Sequence, residues 1–426
     1  MNHRTLALAL AVLTVPAAFA SIIGTNVPAK PLTAERVANL PVWKTYVENS
    51  ARQRLADQAA LRAEMKTLGL KESIEPPKSA SPKATPLDRP ASWYGSAEAR
   101  HIADCVVSFQ TPAGGWAKHT DFGQHVRAAG EAFAGDSNSR FLITNDFDAP
   151  TDVKWNYVGT FDNGATTTEL RFLAKVISAG GTNNAALTAA FTRGIHYILA
   201  AQNPHGGWPQ VWPLQGGYHD AVTFNDDAML NVIKLLRDVA SGQKDFAFAA
   251  PEVRAQAEAS WKQGVDCILA AQIVANGQRT VWGQQHDALT LQPASARNYE
   301  MPSAASSESG TIMLFLMELP APGSNAVVAV HAAVAWFEKT KIMGKSFQVV
   351  GTESRKLVAS PGSGPIWARY YEVGTDKPIF GDRDQTIHDD VNELSRERRK
   401  GYGWFKDTAK RVFQHYAKWA KLHPQK

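Results

Sequence analysis

Cysteine is scarce in this chain: Cys105 and Cys267 are the only two in 426 residues. Two thiols exclude the disulfide frameworks that staple small exported domains, and they exclude a cysteine-built zinc site. Each sits in an apolar helical pattern, the setting of a buried small hydrophobe; spacing alone leaves a bridge between them open. Long apolar runs are also missing: no stretch reaches the ~18 apolar residues of a membrane span. There is no G-x-S-x-G nucleophile elbow and no H-E-x-x-H zinc motif, and the 12 histidines are scattered. No dense Lys/Arg run is interleaved with aromatics, so a nucleic-acid partner is not indicated. Alternating strand patterns are few.

What is present is an ordinary globular balance, 44% hydrophobic and 20% charged, long enough for one large domain or two ordinary ones. The first residues read as an export leader: Arg4, an apolar stretch from Leu6 to Val15, and the small-x-small site Ala18-Phe-Ala20. A mature chain from Ser21, in the periplasm or the medium, is expected. The formal charge is +5; loss of Arg4 with the leader takes away one positive charge. A mildly basic exported protein is compatible with an acidic polymer as partner.

Residues 33–68 read as helical in two or three pieces. Thr33 caps the first, Pro41 either ends it or opens a new first turn, and a further helix covers about 50–68. Five prolines between residues 74 and 90 (Pro76, Pro77, Pro82, Pro86, Pro90) mark a linker or extended arm. The expected organisation is a leader at 1–20, a helical segment with its proline-rich linker at 21–90, and a main domain at 91–426. In the main domain the pattern predicts helices at about 96–110, 166–179, 185–202, 225–241, 251–272, 304–319, 324–341 and 403–421.

An internal echo runs through these helices. Cys105-Val-Val-Ser-Phe-Gln110 precedes Thr-Pro-Ala-Gly-Gly-Trp116; Tyr197-Ile-Leu-Ala-Ala-Gln202 precedes Asn-Pro-His-Gly-Gly-Trp208; Cys267-Ile-Leu-Ala-Ala-Gln272 precedes a loop ending at Trp282. Repeated helical hairpins bury their apolar faces against each other, which implies a toroid or a solenoid.

Four segments crowd polar residues where a helix begins or has just ended. In Gln110–Lys118 two glycines free the backbone and Lys118 is placed to meet an anion. Thr160-Phe-Asp-Asn-Gly-Ala-Thr166 sets Asp162 and Asn163 at a helix mouth, where they serve either as a cap or as oxygen ligands for a hard cation. Thr223-Phe-Asn-Asp-Asp-Ala-Met229 does the same with Asp226 and Asp227. Just upstream, Trp208, Trp212 and Tyr218 suit either loop packing or an aromatic platform for a sugar. Ala296-Arg-Asn-Tyr-Glu300 puts Arg297 in a loop, and Arg369 and Arg383 follow in loops downstream.

Taken together, over about residues 90–405, these segments resemble the family-10 polysaccharide lyases, which are pectate lyases. The resemblance rests on Gly-Gly-Trp-Ala-Lys118, Thr160–Thr166, Gly-Gly-Trp-Pro-Gln210, Thr223–Met229, Ala-Arg297-Asn-Tyr-Glu300 and Gly381-Asp-Arg383. It implies an all-α fold, an (α/α)3 toroid of helical hairpins with long loops lining a cleft. It further implies Ca2+-dependent β-elimination on polygalacturonate or another acidic pectic polysaccharide by a monomer, with Arg297 as base. Asp162, Asn163 and Asp226 are then the expected metal ligands, Asp226 ahead of Asp227. Lys118, Arg369, Arg383, Trp208 and Thr223 are the expected substrate contacts.

Two other readings compete. Gln110-x-x-x-Gly-x-Trp116 and Gln202-x-x-x-Gly-x-Trp208 also match the repeat of terpenoid-cyclase-like α/α barrels, although the acidic Asp-x-Asp-Asp motif is absent and Asp389-Asp-Val-Asn-Glu393 is a loose substitute. A non-catalytic binder of acidic polysaccharide would keep the basic cleft without needing Arg297.

Overall fold

A computed structural model describes residues 22–79, 85–135, 142–180, 184–352 and 354–425. The expected leader lies outside the described residues, as does the part of the proline-rich stretch that holds Pro82. No helix among the described residues is long and apolar enough to cross a membrane.

Ten α-helices are described: α1 (Pro41–Thr67), α2 (Ala97–Ser108), α3 (Thr167–Ala179), α4 (Ala185–Ala201), α5 (Ala228–Ser241), α6 (Pro251–Ala271), α7 (Ser306–Met317), α8 (Ser324–Thr340), α9 (Arg396–Gly401) and α10 (Thr408–Leu422). α3 packs on α4, α5 on α6, and α7 on both α8 and α10. The chain thus forms the (α/α)3 toroid. α7 is buried on nearly every side, through Ile312, Phe315 and Leu316 among others; α5 buries Leu230, Ile233 and Leu236 and leaves a partly exposed polar stripe of Asn231, Lys234 and Asp238. A helix apolar all round belongs in the middle of a fold; α2, α4, α6 and α8 lie outside these inner helices.

The echo in the sequence is the joint between neighbouring hairpins. At the end of α2 the Gln110 amide donates to Gly114 O of its own turn and to Ala190 O of α4. Gln202 at the end of α4 donates to Gly206 O and to Ser260 O of α6. Gln272 at the end of α6 donates to Thr280 O and to Ala329 O of α8. Each repeat tryptophan folds back on its own helix, Trp116 Nε1 to Val106 O, Trp208 Nε1 to Ile198 O and Trp282 Nε1 to Ile268 O. A fourth copy, absent from the sequence reading, is Trp367 Nε1 to Phe337 O of α8. Glycine is required here: a Cβ on Gly114 or Gly206, both at positive φ, would lie 2.6 and 2.4 Å from a carbonyl oxygen of the next outer helix. Both cysteines are free and buried.

The amino-terminal segment differs from expectation. Instead of two or three helical pieces, one continuous helix, α1, starts with Pro41 at its first turn and runs to Thr67. Proline fits there because its missing N–H would have no helical partner anyway. Nor does this helix stand apart from the main domain. Tyr46 donates its hydroxyl to Ala201 O at the end of α4 and packs on Trp212, and Trp43 meets His205 edge-on. Ahead of it, Ile22–Thr25 pairs antiparallel with Thr386–His388, which pairs with Pro378–Gly381; Tyr370–Tyr371 and Ala304–Ala305 complete a five-stranded sheet beside the cleft.

Candidate active site

The mouths of the inner helices converge on one cleft. Before α3, Phe161-Asp-Asn turns with Asn163 at φ 53°; before α5, Phe224-Asn-Asp turns with Asp226 at φ 50°. The two turns are copies, so Asp162 corresponds to Asn225 and Asn163 to Asp226. Positive φ at non-glycine residues costs about 1–3 kcal/mol each and clusters at functional sites.

The residue two positions after each repeat tryptophan supplies this cleft from below. Lys118 Nζ is 2.5 Å from Asp162 Oδ2. Gln210 Nε2 donates to Asp162 Oδ1 at 3.0 Å. Arg369 Nη2 donates to Asn225 Oδ1 at 3.0 Å and to Glu308 Oε1 of α7 at 2.6 Å. Gln284 accepts the Tyr370 hydroxyl. Burial opposes the Asp162 charge, but Lys118, Gln210 and Arg297 hold its carboxyl below the usual range. Burial likewise opposes the Lys118 ammonium; Tyr157, whose ring it covers at 3.5 Å, and Asp162 lift it above its ordinary value. Asp226 opens to solvent on one side, yet desolvation by the cleft walls and the nearby Asp162 charge raise its carboxyl.

Arg297 stands on the opposite wall, in the loop before α7. Its Nε and Nη2 donate to Glu300 Oε2 and Oε1 at 2.9 and 2.5 Å, a two-pronged pair. Tyr402 donates to the same Oε1 at 2.6 Å. Among the described residues nothing accepts from Arg297 Nη1, and the side chain is 35% exposed. Burial works against the guanidinium charge, and Glu300 outweighs it, so Arg297 stays well above the ordinary arginine value. Burial works against Glu300 too, and Arg297 holds it down at about 2.

Beside Arg297 lies a polar cavity of about 200 Å3 lined by Asp146, Asp148, Arg383, Arg398 and Tyr402. Arg383 pairs with Glu397, and Arg398 covers the Tyr299 ring at 4.2 Å. Asn298 joins these parts, accepting from Phe147 N and donating to Arg383 O.

The structure therefore brings Lys118, Asp162, Asn163, Asp226, Arg297, Arg369 and Arg383 to one cleft. Two expected contacts need correction. Trp208 is only 1% exposed, with its indole N–H spent on Ile198 O, so it pins a hairpin and offers no face to a sugar. Trp212 and Tyr218 are equally enclosed. Thr223 has no exposed surface, and its hydroxyl donates to Ala221 O. The loop-packing alternative holds for the three rings: the joint between hairpins takes up Trp208, Trp212 packs on Tyr46 of α1, and Tyr218 stacks on His219 and gives its hydroxyl to Asp148. The Gln-x-x-x-Gly-x-Trp match to cyclase-like barrels is explained by the same joint. Sequence reasoning quoted Gln210 and Glu300 within motifs without giving either a role, and passed over Glu308 and Arg398. A usable signal existed for the first, since Gln210 holds the position after Trp208 that Lys118 holds after Trp116.

Fold and cleft together define a polysaccharide lyase. A family model described as pectic acid lyase matches residues 110–413; the chain belongs to the pectic acid lyase family. Among solved structures, the family-10 polysaccharide lyase from Cellvibrio cellulosa is 32% identical at a TM-score of 0.63, covering 79% of this chain and 99% of that one. An aspartate-to-alanine mutant of the family-10 enzyme from the same organism, in complex with trigalacturonic acid, is 31% identical at a TM-score of 0.63, covering 79% and 96%. Comparison with curated proteins gives no match.

Proposed function

We propose that this chain is a pectate lyase that cleaves polygalacturonate by β-elimination, with Arg297 as the base. The observation that carries the reading is the position of Arg297. It faces the carboxylates Asp162 and Asp226 on one side and Arg383 and Arg398 on the other. Arginines bind the carboxylates of a uronate chain through paired N–H donors. The solved relative bound to trigalacturonic acid supports that choice of polymer.

In the reaction the C5–H bond breaks, its electrons form the C4–C5 double bond, and the C4–O4 bond to the next sugar breaks, with O4 leaving on the bonding pair and taking up a proton from solvent. Arginine normally stays protonated, so Arg297 acts as base only in its neutral form. The pair with Glu300 decides which nitrogen that is. Nε–H and Nη2–H are both held by the carboxylate, which leaves Nη1 to give up its proton to solvent and to accept the one from C5. Because Glu300 lifts Arg297, the neutral form is rare at neutral pH and activity rises into the alkaline range.

The residues present fit calcium. Asp162 and Asp226 supply two carboxylates, the second raised by desolvation and by the Asp162 charge, Asn163 adds an amide, and hard oxygen ligands are what calcium takes. Among the described residues no three His, Cys, Asp or Glu cluster as a metal cage, so waters and a substrate carboxylate would have to complete the shell. When bound, calcium draws charge from that carboxylate and so acidifies the C5 proton. The leader pattern adds that the enzyme works outside the cytoplasm.

The test follows the ultraviolet absorbance of unsaturated uronides while purified protein acts on polygalacturonate at alkaline pH, with calcium and then with chelator. A calcium-dependent rise that Arg297→Ala abolishes supports the proposal. A flat trace from folded protein that still binds trigalacturonate overturns it in favour of a binding protein.

A further inference from the structure

We infer that the amino-terminal arm belongs to the catalytic apparatus and that Asn26 is a positioning residue for Arg297, an inference that rests on the role proposed for Arg297. The arm lies outside the family match, which begins at residue 110. It nevertheless reaches the catalytic loop. Ile22–Thr25 pairs with Thr386–His388 at the edge of the sheet, and Asn26 N donates to Gln385 O at 2.7 Å. The strand ends with the Asn26 side chain buried against the loop that carries Arg297, at 3% exposure.

Three of that side chain's four hydrogen bonds go to this contact. Nδ2 donates to Arg297 O at 3.2 Å and to Asn298 O at 3.0 Å. Oδ1 accepts from Ser295 Oγ at 3.1 Å and from Val27 N at 3.0 Å. One amide group thus fixes two consecutive carbonyls, and with them the peptide plane from which the Arg297 side chain departs. The loop's own turn adds Glu300 N to Arg297 O and Ala296 N to Glu300 O. Those bonds set the pair with Glu300 but do not anchor the loop to the rest of the cleft. At Arg297 itself Asn26 and Asn298 do that, the first to the arm and the second to Arg383 and Phe147; on either side of it the Ser295 hydroxyl reaches Val27 O of the arm and Tyr402 holds Glu300. A reacting nitrogen displaced by about 1 Å can cost about 100-fold in rate, so an anchor at the base's own carbonyl acts on turnover and leaves substrate affinity to the arginines.

The experiment compares wild type, Asn26→Ala, Asn26→Asp and the control Ile23→Ala, whose side chain is largely exposed, as full-length mature proteins well below their melting temperatures. Asn26→Asp keeps the acceptor for Ser295 and loses both donated bonds. Both Asn26 variants are expected to lower kcat about 10- to 100-fold with KM changed less than about threefold. Hydrogen exchange in peptides covering residues 295–300 should become faster in both, and Ile23→Ala should match wild type. If an Asn26 variant does not fold, Ser295→Ala, which removes the hydroxyl shared between Asn26 Oδ1 and Val27 O, takes its place as a test of the arm's hold on the loop, with a loss in the same direction. Faster exchange with kcat within twofold of wild type overturns the positioning role, and unchanged exchange overturns the anchor itself. A wild type without eliminative activity refutes the proposed function instead; the exchange data still decide whether the arm holds the loop.

Discussion

Replacing Glu300 by glutamine tests the centre of the mechanism, because one buried carboxylate fixes both the geometry and the protonation of Arg297. The carboxyl is 2% exposed and accepts from Arg297 Nε and Nη2 and from Tyr402. Its fall from 4.5 to about 2 corresponds to about 3 kcal/mol in favour of the ionised form, at roughly 1.4 kcal/mol per tenfold. Since the folded carboxyl is the more acidic, that stabilisation is whole above pH 4.5 and is lost as pH falls to about 2. In Glu300→Gln this acid-dependent part is gone, so the unfolding free energy should fall less steeply between those limits. At neutral pH the variant leaves a guanidinium without its counter-charge. The cost should stay below the ~3–5 kcal/mol of breaking a fully buried pair, because Arg297 remains 35% exposed and can hydrate. The same substitution removes the group that lifts Arg297, so the alkaline limb of kcat/KM should move to lower pH, although the plateau drops because Nη1 is no longer singled out. Urea unfolding from pH 2 to 7 and pH–rate profiles on polygalacturonate provide both readouts. An alkaline limb at the same pH in both proteins would refute Arg297 as the titrating base, and identical acid dependence of stability would refute the coupling.

Other outcomes follow from the same geometry. Asp162→Ala and Asp226→Ala should each raise the calcium concentration needed for half-maximal activity at least tenfold, read by titrating metal into chelated enzyme; an unchanged requirement would move the metal elsewhere. Trp208→Ala should destabilise the fold by about 3–5 kcal/mol while leaving trigalacturonate affinity, measured by calorimetry on the folded fraction, within about twofold. Asp57 of α1 is buried, and desolvation outweighs its bonds to Gln53 and Ala113 to raise it to about 6. The folded state therefore loses stability as pH rises through 6. Asp57→Asn should match wild type at pH 4 and gain up to about 3 kcal/mol at pH 8; equal stability at both values would count against the buried charge.

Much of this molecule was legible in the chain. The periodicity of α3 to α8 marks their ends to within a few residues, because each carries an apolar face at helical spacing and is bounded by Gly, Pro or a polar turn. The repeated Gln and Gly-Gly-Trp units show that hairpins stack, since a motif recurring at a joint reports the joint. Asp162, Asp226 and Arg297 stood out because charged residues crowd helix mouths and loops where the core has no use for them. Three things depended on tertiary structure alone. Whether a tryptophan faces solvent or a core is set by what packs over it, and Trp208 looks the same in sequence either way. The protonation of Arg297 is decided by its burial, by Glu300 and Tyr299 of its own loop and by Tyr402 from a distant part of the chain, because electrostatic coupling depends on distance and burial, not on order. The arm before residue 30 carries no catalytic motif, yet Asn26 lies within hydrogen-bond distance of a carbonyl 271 positions away. Local pattern specifies which elements form; only the closing of the toroid specifies which side chains meet.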